Sequence, residues 1–134
     1  MASITVIGSV NLDIVASAPR LPAPGETVTG ADLHRFPGGK GANQALAAQR
    51  LGADVRLVAC VGDDAAADEA LALLRAGGVN LDACAVLAGI ATGTALIAVA
   101  PDGENQIVVA PGANARLTPA RVPDLDADAV ICPL

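Results

Sequence analysis

Aromatic residues are almost absent from this chain of 134 residues, which has no Trp or Tyr and a single Phe, Phe36. Proteins that bind single-stranded nucleic acid without sequence preference stack bases on aromatic rings, and this chain lacks such a platform. Positive charge is also scarce, since 8 Lys and Arg residues against 14 Asp and Glu residues give a net charge of −6. No basic stripe can displace the counterions of a phosphate backbone, so we expect no nucleic-acid partner.

The sequence also lacks the residue clusters from which metal and redox sites are built. His34 is the only histidine, and the cysteines Cys60, Cys84 and Cys132 form no Cys-x-x-Cys pair. Zinc and dithiol sites need such closely spaced ligands. We therefore predict no metal site in this chain. The cysteines are interpreted as three buried thiols of a reducing cytoplasm, where we expect the protein to be located.

Membrane segments are not predicted either. No Lys or Arg precedes Arg20, and Asp13 interrupts the first apolar run, so the N-terminus does not resemble a signal peptide. Residues 83–101 carry no charge over a length close to the ~20 residues of a membrane span. Gly89 and Gly93 interrupt this stretch, and its second half is rich in strand-forming residues. It is interpreted as two strands joined by a polar turn.

The alternation of apolar runs with helical patterns predicts an α/β fold, a parallel sheet with flanking helices in one domain over residues 1–134. Strands are predicted over residues 4–7, 55–61, 83–87, 94–99, 106–110 and 129–132, and residues 26–36 are predicted to form a partly exposed pair of short strands. Helices are predicted over residues 42–51, from Asp63 or Asp64 to about residue 76, and from Thr118-Pro119 onward. Residues 101–105 have the composition of a hairpin turn, and this hairpin is placed off the sheet, where it could pair with residues 26–36.

Two polar residues, Asn11 and Asp13, follow the first predicted strand. Residues i and i+2 of an extended segment point to the same side, so both can face one pocket. Asn11 offers two donors and an acceptor, whereas ionised Asp13 only accepts and can hold two neighbouring hydroxyls of a sugar. Ligands of open α/β sheets bind beyond the carboxyl ends of the strands, which suits this position. The alternative is that both side chains make only local turn or cap hydrogen bonds.

A glycine-rich segment, Gly-Gly-Lys-Gly-Ala-Asn at residues 38–43, leads into the first predicted helix. It is not a P-loop, because no Gly lies six residues before Lys40 and no Ser or Thr follows Lys40. It is not the dinucleotide fingerprint either, since Gln44 stands in place of the third Gly. Such a loop at a helix N-terminus suits hydroxyl oxygens or a developing negative charge, or it serves only tight packing. Asn43 could cap the helix or reach a ligand.

Gly-Gly-Lys-Gly-Ala-Asn-Gln-Ala at residues 38–45, after Asn-Leu-Asp at residues 11–13, resembles the ribokinase-like carbohydrate kinases. Other similar segments are Pro24-Gly25-Glu26-Thr27-Val28, Val61-Gly62-Asp63-Asp64, Thr92-Gly93, Gly103-Glu104-Asn105 and Gly112-Ala113-Asn114. The likeness runs the full length of the chain. It implies ATP-dependent phosphorylation of a sugar, and this version of the loop is closest to members that convert D-ribose to ribose 5-phosphate.

The resemblance also implies a substrate-binding set, which consists of Asn11, Asp13, Gly39, Lys40, Gly41 and Asn43. Asn11 and Asp13 would bind ribose hydroxyls, with Gly41 shaping the loop. Lys40 would neutralise Asp13 or only support the loop. Residues 26–36 and 94–110 resemble the β-lid of the family, which closes over the sugar and pairs with a second subunit. We therefore expect a homodimer formed through the lid.

Members of this family are more than twice as long as this chain. The catalytic Asp of the family lies in a Gly-Ala-Gly-Asp motif, which this sequence does not contain. The resemblance implies that ATP, Mg²⁺ and an activating monovalent cation such as K⁺ bind in the other half of the full-length protein. We therefore expect a truncated kinase, its C-terminal half absent, with no catalytic, cofactor-binding or metal-binding residue in this chain and no phosphotransfer activity of its own.

Two alternatives stay open. If the protein ends at Leu134, it would be a non-catalytic remnant that binds a sugar or forms dimers. A kinase of another sugar or of a nucleoside would keep the fold and change the substrate.

Overall fold

The described part of the chain folds into two four-stranded sheets and two α-helices. The computed structural model describes residues 1–133. The strands are β1 (Ser3–Ile7), β2 (Asn11–Ser17), β3 (Asp32–Gly38), β4 (Asp54–Gly62), β5 (Cys84–Leu87), β6 (Gly93–Val99), β7 (Asn105–Ala110) and β8 (Ala129–Ile131). The helices are α1 (Lys40–Arg50) and α2 (Ala65–Gly77), and short 3₁₀ turns cover Gly112–Arg116 and Pro119–Arg121.

The first sheet is entirely parallel, with the strand order β5-β4-β1-β8. Its central strand β4 is buried at every position from 57 to 62, as its aliphatic sequence predicts. Helices α1 and α2 pack against this sheet, and their contributions to the core include Ala42, Ala45, Leu71 and Leu74. Burial of a side chain such as Leu74 contributes about 1.5–3 kcal/mol. The predicted parallel sheet with flanking helices is therefore confirmed.

The second sheet has the order β3-β2-β6-β7. Strand β2 pairs with β3 antiparallel and with β6 parallel, and β6 pairs with β7 antiparallel. The hairpin predicted around residues 101–105 is therefore confirmed. Its pairing with residues 26–36 is wrong, because β2 lies between the hairpin and β3. Residues 26–31 form no strand, so only the second part of the predicted segment joins the sheet.

Strand β2 does not follow from the sequence pattern, which places Asn11 and Asp13 after the end of a single strand. Only residues 8–10 separate β1 from β2, and the chain changes from one sheet to the other there. The pairing partners of Asn11 are Gly38 and Gly93, which are distant along the chain. Local periodicity cannot report such partners, so the second strand becomes visible only in the folded protein.

The helix predicted from Thr118 is a single 3₁₀ turn, Pro119–Arg121, without a hydrogen bond from the Thr118 side chain to the turn. Pro123 gives the physical reason. Proline has no N–H to continue a helix, and it disfavours the α conformation of the preceding residue. That residue, Val122, is accordingly extended.

The uncharged stretch over residues 83–101 contains β5 and β6, as predicted. Neither helix of the described chain is long and apolar enough to cross a membrane.

The three cysteines are free thiols, as predicted, but the predicted burial holds fully only for Cys60, since Cys84 is partly buried and Cys132 is exposed near the end of the edge strand β8. Burial raises the pKa of the Cys84 thiol to about 11, and the nearby Cys60 adds to this shift. A thiol with so high a pKa is scarcely ionised at neutral pH and is a poor nucleophile. Cys60 and Cys84 therefore act as packing residues of β4 and β5.

Asp64, one of the two predicted caps, is the N-cap of helix α2. The Asp64 carboxylate accepts hydrogen bonds from the N–H of Ala67 at 2.9 Å, the N–H of Thr92 at 2.9 Å and the hydroxyl of Thr92 at 2.6 Å. The Thr92 hydroxyl in turn accepts the N–H of Gly62 at 2.9 Å. Burial alone would raise the pKa of Asp64, but these hydrogen bonds outweigh it and lower the pKa. This network ties the end of β4 to the start of α2 and of β6.

Replacement of Asp64 by Ala is expected to lower the free energy of unfolding by about 2 kcal/mol at pH 7, because the cap is lost and the N–H of Thr92 is left without its partner. Urea unfolding followed by circular dichroism measures the effect. Since the native pKa of Asp64 is lowered, this stabilisation should be lost as the pH falls through that value. The control is Asp63→Ala, at the exposed neighbouring position. Equal losses in the two variants would contradict the assignment of the cap.

Candidate functional site

A cleft of about 540 Å³ lies between the second sheet and the start of α1. Its polar lining consists of Ser9, Asn11, Asp13, Gly39, Lys40 and Asn43. Its apolar lining consists of Ala95, Ile97, Ile107, Val109 and Pro133. The fold thus brings five of the six predicted site residues to one surface. The sixth, Gly41, does not line the cleft.

Gly38 makes room for the carboxylate of Asp13. Asn11 and Gly38 are direct partners in the β2–β3 ladder, and the Asp13 side chain leans back over Gly38. A Cβ atom at position 38 would overlap the carboxylate oxygens of Asp13. The first glycine of the loop, Gly38, is therefore needed because it leaves space for the carboxylate of Asp13.

Gly39 and Gly41 serve close backbone contacts instead. Gly39 precedes α1 with a φ of 95°, and a Cβ atom there would lie 2.6 Å from the carbonyl oxygen of Ser9. A Cβ atom at Gly41 would lie 2.6 Å from the carbonyl carbon of Gly8. The N–H of Ala42 donates to the Ser9 carbonyl at 3.0 Å. These contacts hold the start of α1 against the segment that joins β1 to β2.

Asn43 and Lys40 reach the cleft from the first turn of α1. Gly39 is the N-cap, no side chain caps the helix, and Asn43 is the fourth helical residue. Of the two roles predicted for Asn43, capping is therefore wrong, and its position in the cleft agrees with the other. Lys40 lines the same cleft as Asp13, and its two predicted roles, neutralisation of Asp13 and support of the loop, stay predictions.

The Asp13 carboxylate is partly buried and accepts no hydrogen bond from the described residues. Its desolvation raises the pKa of Asp13 above the ordinary value of 3.8. Asp64 shows the opposite balance, because three donors compensate its burial. An uncompensated carboxylate in a cleft is typical of a binding site whose donors come with the ligand.

The apolar wall of the cleft comes from alternate positions of β6 and β7, at Ala95, Ile97, Ile107 and Val109. Ala95 is paired with Val109, and Ile97 with Ile107, so the four side chains share one face of the sheet. These residues lie in the predicted lid segment 94–110 but are not among the six predicted site residues. Their i, i+2 spacing is the signal that could have identified them.

Asn114 is a second residue that supports the site and that is not among the predicted site residues. Its Oδ1 accepts the N–H of Val10 at 2.9 Å, and its Nδ2 donates to the Val10 carbonyl at 3.1 Å and to Oδ1 of Asn11 at 2.8 Å. The segment Gly112-Ala113-Asn114 stands out in the sequence, but nothing local connects it to Asn11. The contact spans 103 residues of chain.

A larger groove of about 790 Å³ lies beside β8. It is lined mainly by aliphatic and proline side chains between Leu117 and Leu125, together with Ile7 and Pro133. None of the six predicted site residues lines it. Binding sites combine an apolar surface with a few convergent polar groups, and the smaller cleft has that combination.

The sequence model of the pfkB family carbohydrate kinases matches residues 1–131. The chain belongs to this family. It is 48% identical to the ribokinase of Bacillus subtilis over 120 residues, which are 90% of this chain and 41% of that protein. It is 42% identical to the ribokinase of Haemophilus influenzae over 116 residues, or 87% of this chain and 38% of that protein. The chain thus spans about two-fifths of the length of these relatives.

Solved structures agree with the family assignment. The ribokinase of Cryptococcus neoformans in complex with ADP superposes with a TM-score of 0.86 and 36% identity, over 98% of this chain and 42% of that one. The ribokinase of Giardia lamblia gives a TM-score of 0.84 and 37% identity, over 98% and 42%. The family and the ribokinase-like fold expected from the sequence motifs are therefore confirmed.

Replacement of Asp13 by Asn is expected to stabilise the protein at neutral pH. The native pKa of Asp13 is raised, so its ionised form costs stability as the pH rises through that value, and the cost is absent below the unfolded-state pKa. The increase in the free energy of unfolding should therefore be clear at pH ~7 and should vanish below pH ~4. Urea unfolding across this range measures it, with Asp126→Asn as the control for the loss of one negative charge. A variant that is less stable than the native chain at pH ~7 would contradict this account.

Proposed function

We propose that this chain provides the D-ribose-binding part of an ATP-dependent carbohydrate kinase that forms ribose 5-phosphate. This proposal rests on one observation: a single cleft is lined by one carboxylate, two amides and one ammonium group beside an apolar wall. Residues 1–131 match a family of carbohydrate kinases, and the relatives named above are ribokinases. Asn11, Asp13, Gly39, Lys40 and Asn43 are the proposed substrate-binding residues, and Gly41 supports them from behind.

The cleft suits a sugar because it offers both hydrogen-bond donors and hydrogen-bond acceptors beside an apolar surface. Asp13 accepts hydrogen bonds from two neighbouring hydroxyls, which also compensates its desolvated charge. Asn43 and Lys40 can donate to hydroxyl oxygens. The C–H groups of the ring would pack against Ile97 and Ile107 on the wall. These contacts hold the sugar in one orientation and keep water from the hydroxyl that receives the phosphoryl group.

The lid of the proposed kinase is the second sheet, whose β3 and β6–β7 hairpin overlap the segments 26–36 and 94–110. Residues 1–134 would thus form the N-terminal sugar-binding part of the domain. The apolar wall belongs to this sheet, so its position relative to α1 decides how fully the sugar is enclosed. Enclosure of this kind excludes water during phosphoryl transfer.

We assign the catalytic base, ATP, Mg²⁺ and a monovalent cation such as K⁺ to the longer protein. Within residues 1–133, no three His, Cys, Asp or Glu side chains are grouped so that they could hold a metal ion. ATP with Mg²⁺ supplies the phosphoryl group when bound. The residues of this chain bind and orient the sugar. The proposed location is the cytoplasm, where ATP is available and thiols such as Cys60 stay reduced.

Isothermal titration calorimetry with D-ribose tests the proposed sugar site. The native chain is expected to bind D-ribose, and Asp13→Asn is expected to weaken binding by at least about tenfold, because a neutral amide cannot accept two charge-assisted hydrogen bonds. The matched control is Asp126→Asn, which removes one exposed carboxylate outside the cleft and should leave the affinity unchanged. An Asp13→Asn variant with native affinity, or a native chain that does not bind D-ribose, would overturn the proposal.

We further propose that the second sheet forms a homodimer. Its exposed apolar side chains, each at least half exposed, are Leu33, Phe36, Leu96, Ile107, Val108 and Val109. Strand β7 is an edge strand that is exposed along its whole length. Exposed apolar surface next to an open strand edge promotes association, and pairing with a second copy would cover it.

Analytical ultracentrifugation of the native chain should show a dimer. The substitutions Ile107→Lys and Val108→Lys place one charge on each face of β7, and a charge buried in the interface should produce a monomer. The variant that dissociates identifies the face that pairs. The substitution Leu51→Lys, at the exposed C-cap of α1, serves as control. A monomeric native chain, or dimers in both β7 variants, would contradict the proposal.

A further inference from the structure

We propose that Asn114 is a positioning residue that turns the amide of Asn11 so that both of its N–H donors are presented to the cleft. The inference concerns the orientation of one side chain, and it rests on the proposed function only for the identity of the ligand. It adds Asn114 and Gly93 to the groups that determine what the cleft can bind. Neither residue lines the cleft itself.

The orientation of Asn114 is set by the backbone of Val10. The N–H of Val10 can only donate, so the Asn114 atom 2.9 Å away must be the acceptor Oδ1. The carbonyl of Val10 can only accept, so the atom 3.1 Å from it must be Nδ2. Val10 is fully buried, which leaves no water to replace either bond. The two ends of the Asn114 amide are therefore fixed.

The orientation of Asn11 follows from that of Asn114. The Nδ2 group of Asn114 only donates, and it lies 2.8 Å from the Asn11 side chain. The Asn11 atom at this contact must be the acceptor Oδ1, because two amide nitrogens would oppose donor to donor. The Nδ2 group of Asn11 is at the other end of the planar amide, and Asn11 lines the cleft. Its two donors are therefore left for a ligand.

Gly93 provides the space for this contact. It is paired with Asn11 in the β2–β6 ladder, and a Cβ atom at position 93 would overlap Nδ2 of Asn114 and lie 2.5 Å from Oδ1 of Asn11. Asn114 is anchored independently through its neighbour Ala113, which is fully buried and donates its N–H to the carbonyl of Ala91 at 2.8 Å. The amide pair is thus held by backbone on both sides.

The cleft therefore presents its hydrogen-bond donors and acceptors at two separate positions. Asn11 donates and Asp13 accepts, and the two residues lie two positions apart on the same face of β2. A ligand must therefore place an oxygen acceptor at Asn11 beside a hydroxyl donor at Asp13. With the opposite amide orientation, two acceptors would stand side by side, and a sugar could bind in more than one way. Asn114 thus contributes to the selection of one sugar orientation.

Side-chain amide hydrogen exchange in the native chain, measured by ¹⁵N NMR, tests the orientation without any ligand. The Nδ2 protons of Asn114 are expected to exchange slowly, because both of its acceptors are inside the fold. The Nδ2 protons of Asn11 are expected to exchange faster and to shift when D-ribose is added. Slow exchange at Asn11 in the sugar-free chain would overturn the inference. If D-ribose does not bind, the proposed function fails, while the exchange rates still decide the orientation.

The positioning role is tested by Asn114→Asp, which has nearly the same shape but cannot donate to Asn11. Its Asn11 amide signals should shift, and its dissociation constant for D-ribose should rise by about tenfold or more. Asn105→Asp, at the far end of β7, controls for the added charge, and the core variant Val79→Ala controls for lost stability. Both controls should keep native affinity. Unchanged Asn11 signals and affinity in folded Asn114→Asp would show that Asn114 is only structural.

Discussion

The structure depends on a junction at which three backbone segments pass within contact distance because side chains are missing there. The chain leaves the parallel sheet at Gly8 and enters the second sheet three residues later. Gly41 allows α1 to approach Gly8, and Gly39 allows the same helix to approach Ser9. On the other side of the junction, Gly93 of β6 leaves space for the side chains of Asn114 and Asn11. A Cβ atom at Gly39 or Gly41 would push the start of α1 away from residues 8–10 and so change the cleft.

Two carboxylates show the difference between a structural and a functional polar residue in this fold. They differ in how many hydrogen-bond donors surround the charge. Asp64 is surrounded by donors, and its lowered pKa reports a carboxylate that is fully used by the fold. Asp13 has no donor among the described residues, and its raised pKa reports a desolvated charge. A protein that keeps such a carboxylate gives up stability at that position, which is common at binding sites. A polyhydroxylated ligand would supply the missing donors.

The second sheet is held to the rest of the protein by this junction more than by its ion pair. Arg35 on β3 forms two hydrogen bonds with Glu69 on α2, at 2.8 and 3.0 Å, but both side chains are about half exposed. Exposed pairs of this kind contribute little, typically less than ~1 kcal/mol. The short link between β1 and β2, the glycine contacts of α1 and the packing of α2 against β2 and β3 therefore set the position of the sheet. The wall of the cleft moves with the sheet, so the same junction also sets the width of the cleft.

The sequence by itself determined the parallel strands, α1 and α2, the β6–β7 hairpin and the polar residues of the cleft, because each has a local pattern of apolar spacing, capping or turn residues. Its motifs also indicated the family. Only the tertiary structure decided that residues 11–17 form a strand, that Pro119–Arg121 is a single turn, and that Gly41 lies behind the cleft. The orientation of the Asn11 amide belongs to the same group. It depends on Asn114, 103 residues away, and contacts at such separation leave no periodic trace in the sequence.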